Sequence, residues 1–532
     1  MTANTSRSIL ATIPGYTPGG WRRSALGSDL YKFSMMLGGR PDEKECFYLS
    51  FRKGLRLFMP VDIDQEIESL QPQMMGEVVK DTAGSAHSRL HADAEYLKSV
   101  GCPVPRTTLS YVAVDAWETV YATPKGEWAD PREPVATIRA TQAFASWIEP
   151  MFIGRMSYMM QVATAALESR SGTEEEVVER YAAFLKTIET VTCEEQKALT
   201  LRALEGAGVS INPDYITVDE EGYYNAVKAQ CQKMLDTGVS PDRFFEVGLR
   251  AATCMDQHLI ALKAMKDMGF TKTSNVYGAW LLGMTPVGTM GHEGVMRWGG
   301  NDELAFRQHQ KALPVVSFLL DTNDTLTIGL PIALKLMLET PDRRDGARPD
   351  SGDLDAQFRT FVGLMKANNL ARPWIFEDGI GDKDVCRFEA LRTELDYPEA
   401  MTLYGAGGYF IDRVEPTGYT RGRINMIYKL TWTQSFGAAM KFGNEEEAGD
   451  SGKASLPGIP VTYTKIDDSV DGPNILVGQE CDVLPGYRPY RSGDHIRRGK
   501  VKSRPDLSPL TRMMIDMLTK NRAAKVAAAK EA

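Results

Sequence analysis

An α/β fold with a barrel-like parallel sheet is predicted by three features of this 532-residue chain. Short apolar runs recur near residues 286–288, 315–320, 346–348, 374–376 and 400–404. Their starts lie roughly 30 residues apart, the length of one strand-plus-helix unit. Each run ends in a polar or glycine-rich loop: GHEG, DTNDT, RPDSGD, EDGIGD and YGAGG. Reactive loops at the carboxyl ends of successive parallel strands are the pattern of an α/β-barrel active face.

The elements before these runs predict a smaller α/β unit. Residues 1–26 read as a loose leader punctuated by Gly and Pro. Residues 28–36 (SDLYKFSMM) start a helix capped by Ser28 or Asp29. Residues 47–51 alternate like a strand and end at the basic pair Arg52 and Lys53. Residues 63–99 read as helical, with His87 and His91 one helical turn apart; no third ligand accompanies them, so a solvated helix face is the expectation. Residues 108–140 read as strands. A helical region covers 148–207, residues 209–240 look like an insertion, and residues 244–252 (FFEVGLRAA) open the barrel-like part. Beyond it, short strands return to the small unit, the run Glu445–Glu447 is a solvated loop, and residues 520–530 form a solvated, frayed helix. The expected division is 1–150, 151–411 and 412–532.

Net charge is −9 with no basic block, which argues against nucleic acid or an anionic membrane as partner. The seven cysteines are scattered without metal spacing, which predicts reduced thiols in a cytoplasmic setting. No apolar run is long enough for a signal peptide or a membrane span.

Chemistry concentrates in the strand-end loops. His292 sits among glycines beside Glu293. Two readings stand: a hydrogen-bonded structural histidine, or a nucleophile or acid–base group. Asp321 and Asp324 end the 315–320 run, where they orient functional groups, hold Mg²⁺ or cap the next helix. Residues 347–355 (ARPDSGDLD) bring together Arg348, Asp350, Ser351 and Asp353. An arginine beside carboxylates binds an anion while an acid faces a developing cation; a structural salt-bridge cluster is the alternative. Asp353 is a candidate Mg²⁺ ligand. Gly379, Gly381, Gly405, Gly407 and Gly408 fall in the last two loops, where backbone N–H groups cradle phosphate in many barrels.

Several pieces in order carry a resemblance: SDLYKFSMM, FRK, FEVGLRAA, TSNVYGAWLLGMTPVGTMGHEGVM, LLDTNDT, RPDSGDL, YGAGG, YKL and SLPG. From residue 28 to about 465 the chain resembles the type II nicotinate and nicotinamide phosphoribosyltransferases. The resemblance implies an irregular TIM-like α/β barrel plus an α/β domain built from the N- and C-terminal segments. It also implies a head-to-tail homodimer whose active sites are completed by the neighbour. The implied reaction joins nicotinate to 5-phosphoribosyl 1-diphosphate, with Mg²⁺ on the diphosphate and ATP as co-substrate.

Roles follow from the same resemblance. His292 is the histidine that ATP phosphorylates. Tyr31 stacks on the pyridine ring from the partner subunit. Arg250 and Arg348 contact base and phosphoribosyl group, and Asp350 lies beneath the reacting ribose. Gly407 and Gly408 bind the 5′-phosphate, and Arg52 and Lys53 supply phosphate contacts across the dimer. The ring-stacking position before GLR, often Phe in the family, is Val247 here, with Phe244 and Phe245 upstream. Ser274 stands where nicotinamide enzymes of the family carry Asp. A serine donates to a nicotinate carboxylate, which favours nicotinate over nicotinamide. A nicotinamide enzyme is the close alternative, and a non-catalytic metabolite-binding relative is an alternative of another class.

Overall fold

The computed structural model describes residues 8–74, 76–80, 85–412, 418–442, 454–467, 469–491 and 504–531, and the predicted barrel strands form one curled parallel sheet in it. Its order is Thr285–Pro286, Lys272–Thr273, Phe244–Glu246, Thr402–Ala406, Trp374–Phe376, Gly346–Arg348 and Ser317–Leu319. The strands are short, yet Trp374, Ile375 and Phe376 are buried in succession. A run apolar at every position, not at alternate ones, suits a strand covered on both faces. The helices Leu354–Ala367 and Asp382–Glu394 supply part of that cover. Phe358 lies 5.7 Å from Trp374, and Phe388 stacks at 3.9 Å on Phe376. Thr285–Pro286 and Ser317–Leu319 are the sheet's edges, and the chain joining them carries the helices His292–Met296 and Asp302–Ala312.

A second, antiparallel sheet unites the two ends of the chain. Its order is Gly437–Ala438, Met426–Thr433, Lys44–Phe51, Ala136–Thr141 and Glu118–Ala122, with Tyr48 opposite Lys429. A three-stranded sheet, Ile475–Gln479, Pro460–Lys465 and Tyr487–Pro489, continues the C-terminal part. The helix Glu149–Glu168 is buried almost all round, as its apolar circumference requires. Gly154 on that helix meets the backbone just past the Leu249–Ala251 turn: a Cβ there would sit 2.0 Å from the Ala252 carbonyl oxygen. Buried Arg297 pairs with Glu45 at 2.8 and 3.0 Å, tying the end of the His292 helix to the Lys44–Phe51 strand.

Several sequence expectations are corrected. The leader is not loose where it is described: Leu10, Ile13, Trp21 and Leu26 are buried, because their apolar side chains fill the core. Residues 63–99 are not one helical stretch; a Val78–Lys80/Ala86–Ser88 hairpin interrupts them. His87 lies in that hairpin and His91 in the next helix, so they do not share one helical face. Residues 106–114 form a helix, not a strand, because Leu109 and Val112 bury at helical spacing after Pro105. Residues 220–235, within the supposed insertion, form a helix packed on Met255–Asp267. The C-terminal helix Pro509–Glu531 is largely exposed but docked. Arg522 donates to the Asn323 carbonyl at 2.9 and 2.6 Å, and Lys525 to that of Gly300 at 3.2 Å. Glu445–Glu447 lie outside the described residues.

Gly154→Ala should lower stability by about 1–3 kcal/mol, because the helix must move away from Ala252. Urea unfolding of the two proteins measures this; an unchanged midpoint would mean the close approach is not a constraint.

Candidate active site

The sheet delivers its polar residues to one end. Parallel pairing of Leu319 with Arg348 brings the next residues of both strands side by side. Asp321 Oδ1 accepts from the Asp350 backbone N–H at 3.2 Å, and its Oδ2 from the Ser351 hydroxyl at 2.6 Å. Arg348, nearly buried, donates to Asp350 at 2.9 Å, lies 3.0 Å from Glu377 and donates to the Met290 carbonyl. Met290 belongs to the loop that leads into His292. One guanidinium therefore ties together the loops that follow the Thr285–Pro286, Gly346–Arg348 and Trp374–Phe376 strands. A planar fork of donors suits that task; a lysine has no such geometry.

His292 occupies the first position of its short helix, 9% exposed. Its Nδ1 shares a hydrogen with Thr322 Oγ1 at 3.1 Å. Its Nε2 lies 3.5 Å from Asp350 and 3.8 Å from Asp321, and it has no hydrogen-bond partner. When Nδ1 donates to Thr322, Nε2 presents a lone pair to the cavity. Burial, then Lys441, push the imidazole below its usual pKa against the pull of Asp321 and Asp350, so the neutral ring prevails at neutral pH. Burial works against ionisation of Asp350, but Arg348 first, and Lys441 with it, outweigh it and hold the carboxyl well below the usual range. Glu377 moves the other way: burial raises it, Arg348 opposes and Asp350 reinforces.

The same cavity continues to an aromatic end lined by Tyr31, Phe245, Val247, Arg250, Ser274 and Asp29. Phe245 and Val247 face it, whereas Phe244 packs in the core 5.7 Å from Phe270 and 5.5 Å from Tyr404. Tyr31 lines the cavity of its own chain: the Leu30 N–H donates to the Ser274 carbonyl at 2.8 Å and the Val276 N–H to that of Ser28 at 3.0 Å. These bonds dock the Leu30–Leu37 helix against the sheet. Asp29 precedes that helix but makes no side-chain cap; its carboxylate accepts from the Ser274 hydroxyl at 2.6 Å. The serine proton expected to face the ligand is thus directed at Asp29.

Other wall residues were not singled out from the sequence. Buried Lys32 donates to Glu149 and, at 2.9 Å, to Glu293. Lys429 and Lys441 add positive charge. Burial lowers the Lys429 amine to about 7, with Glu149 resisting and Lys441, Arg250 and Arg52 assisting. Lys429 sits in the YKL piece, and Glu377 opens the EDGIGD loop, so both had a local signal.

Arg52, Lys53, Asp353, Gly405, Gly407 and Gly408, expected at the site, do not line this chain's cavity. The Arg52 and Lys53 backbone N–H groups donate to the Ile424 carbonyl at 3.1 and 3.0 Å, which turns the chain after its strand. Asp353, expected at Mg²⁺, caps the Leu354–Ala367 helix, accepting from the Asp355 and Ala356 N–H groups at 3.1 and 3.0 Å. Gly405 and Gly407 have a packing reason to be glycine. A Cβ would lie 2.4 Å from the Glu377 side chain at the first and 2.8 Å from the Val247 carbonyl oxygen at the second. Gly408 is less crowded, its nearest neighbour being Asp412 at 3.4 Å.

No family model matches the chain. A nicotinate phosphoribosyltransferase of Bacillus subtilis (strain 168) is 28% identical over 233 residues, 42% of this chain and 44% of that protein. The chain thus spans less than half the length of this curated relative. Among solved structures, a nicotinate phosphoribosyltransferase from Vibrio cholerae is similar with a TM-score of 0.48 at 16% identity, over 81% of this chain and 90% of that one. One from Porphyromonas gingivalis is similar with a TM-score of 0.46 at 14% identity, over 80% and 97%.

Asp353→Ala should cost about 1 kcal/mol of stability through the lost cap. It should leave the dependence of activity on Mg²⁺ concentration unchanged. A changed Mg²⁺ dependence, read from rates across a Mg²⁺ titration, would restore Asp353 as a ligand.

Proposed function

We propose that the chain transfers the phosphoribosyl group of 5-phosphoribosyl 1-diphosphate to nicotinate, giving nicotinate mononucleotide and diphosphate, with ATP consumed through a phosphohistidine. One observation carries the reading: His292, Asp350 and Arg348 share a single cavity with Tyr31, Phe245 and Arg250. The aromatic end suits a flat pyridine ring, and the cations suit phosphate groups. The similarity to the Bacillus subtilis enzyme supports the same reading.

The pyridine nitrogen carries its own lone pair, so its attack on C1 needs no general base. The C1–O bond to diphosphate breaks and its electron pair leaves with the diphosphate. Positive charge then builds on C1 and the ring oxygen. Asp350, kept ionised by Arg348, is the carboxylate placed to stabilise it. His292 Nε2 takes the γ-phosphoryl group of ATP and ADP leaves. Roughly two negative charges then arise beside Arg348, Lys429 and Lys441. Water later releases phosphate and restores the ring.

Among the described residues, no group of three or more His, Cys, Asp or Glu side chains is arranged to hold a metal ion. Asp321 and Asp350 fit a cation that arrives on the diphosphate, since Mg²⁺ is commonly held by one or two carboxylates plus substrate phosphates. Asp321 and Asp350 would hold such a cation where it could neutralise the leaving diphosphate. In this reading residues 151–411 form the catalytic unit, flanked by 1–150 and 412–532, in a cytoplasmic homodimer.

A second reading, nicotinamide as the base, is favoured by one observation: the Ser274 proton points at Asp29, so the serine offers lone pairs to a carboxamide N–H.

Mononucleotide formation from each base, with and without ATP, tests the proposal. Nicotinate should be the better substrate in weakly acid buffer, and ATP should accelerate turnover. Wild type should incorporate label from the γ-phosphate of ATP in an acid-labile form, and His292→Ala should not. Label retained in His292→Ala would remove the phosphohistidine, and absence of either mononucleotide would remove the activity.

A further inference from the structure

The contact between Asp29 and Ser274 bears on which pyridine base is accepted, and this inference rests on the function proposed above. Both residues line the aromatic end of the cavity. They are locked together by main chain as well as side chain: Asp29 and Asn275 form an antiparallel bridge, and the Leu30 N–H donates to the Ser274 carbonyl at 2.8 Å. Asp29 is 2% exposed and so is Ser274. Their side chains therefore have little freedom to part when a ligand enters.

A hydroxyl has one proton to donate and two lone pairs to offer. With Asp29 ionised, the proton is spent on the carboxylate, at 2.6 Å. Ser274 then offers the cavity lone pairs alone. A carboxamide donates N–H to such a surface, whereas a carboxylate meets only other acceptors. With Asp29 protonated, the acid donates to the serine oxygen. The serine proton becomes free to turn to the cavity, and a carboxylate is then accepted. We propose that Asp29 and Ser274 form a proton-controlled reader of the base's side group, selecting nicotinate when Asp29 is protonated and nicotinamide when it is ionised.

The surroundings place this switch in an accessible range. Burial pushes the Asp29 carboxyl up to about 6; the Ser274 hydrogen bond lowers it, Glu246 raises it, and His258 and Arg250 lower it. These are the charged groups facing Asp29 from the Phe244–Glu246 strand, the Met255–Asp267 helix and the Leu249–Ala251 turn, with Tyr31 beside it on its own helix. The Glu246 side chain is itself held in place, accepting from Thr273 at 2.6 Å and lying 3.0 Å from His258 Nε2. His258 Nδ1 lies 2.9 Å from the Asn275 amide nitrogen, which orients the ring beside Glu246. The raised value means the neutral acid predominates below the titration and the carboxylate above it.

The test is the ratio of kcat/KM for nicotinate to that for nicotinamide, measured from about pH 5.5 to 7.5. In wild type the ratio should fall by about tenfold or more over this range, the size of discrimination that a hydrogen-bond reader supplies. Asp29→Asn cannot ionise, and its ratio should not vary with pH. Ser274→Ala lacks the hydroxyl and should likewise show a flat ratio; it serves the same purpose where Asp29→Asn folds poorly. A wild-type ratio constant within about twofold overturns the proposal, as does an equal pH dependence in both variants. Turnover of neither base at any pH would instead remove the phosphoribosyltransferase reading itself, and this inference with it.

Discussion

The candidate site depends on one buried cation. Arg348 ends the strand next to one edge of the parallel sheet, and its guanidinium is shared by Asp350, Glu377 and the Met290 carbonyl. Without it, two carboxylates would face each other in a poorly solvated cavity, and one would take up a proton. With it, Asp350 stays ionised, and the loop carrying His292 is anchored to the same point. Breaking such a cluster is costly because a charge is left buried without a partner. The cluster is better understood as a positioning device than as a source of net stability. It sets the histidine nitrogen, the carboxylate and the cationic wall at fixed distances.

The second constraint is the docking of the Leu30–Leu37 helix. It joins the sheet through backbone bonds between residues 28–30 and 274–276. This brings Tyr31 to the cavity and sets buried Lys32 between Glu149 and Glu293. Glu293 adjoins His292, so the aromatic end and the histidine end are coupled through a single ammonium. The helix Glu149–Glu168 carries the other carboxylate of this triad, and its Gly154 fits against the backbone behind Arg250. Packing of remote elements therefore has direct consequences for the geometry at the sheet's carboxyl end.

Much of the barrel was legible because parallel strands buried on both faces leave an unbroken apolar run before each loop. His292, Asp321, Arg348 and Asp350 could be found this way, since each lies just past such a run. The two shortest strands, Lys272–Thr273 and Thr285–Pro286, contain too few residues to show a pattern of their own. Lys32 and Glu293 fall in the SDLYKFSMM and GHEG pieces, but their meeting with Glu149 left no local signal: the three lie on separate helices and meet only in the fold. Asp353 stood out in the sequence beside Arg348 and Asp350, and the helix that begins at Leu354 uses it as a cap. Ser274 was judged by what its position holds in relatives. Its actual chemistry is decided by Asp29, which arrives from another part of the chain. The helix at Arg106–Val114 shows β-branched residues overridden by packing at helical spacing.

The dependence on Arg348 is tested most directly by urea unfolding of Arg348→Met beside the triple variant Arg348→Met/Asp350→Asn/Glu377→Gln. The single variant leaves two acids without their cation and should lose about 3–5 kcal/mol. The triple variant removes the stranded charges and should recover most of that loss. A loss below about 1 kcal/mol in the single variant, or a triple variant no more stable than the single one, would contradict a site organised around this guanidinium.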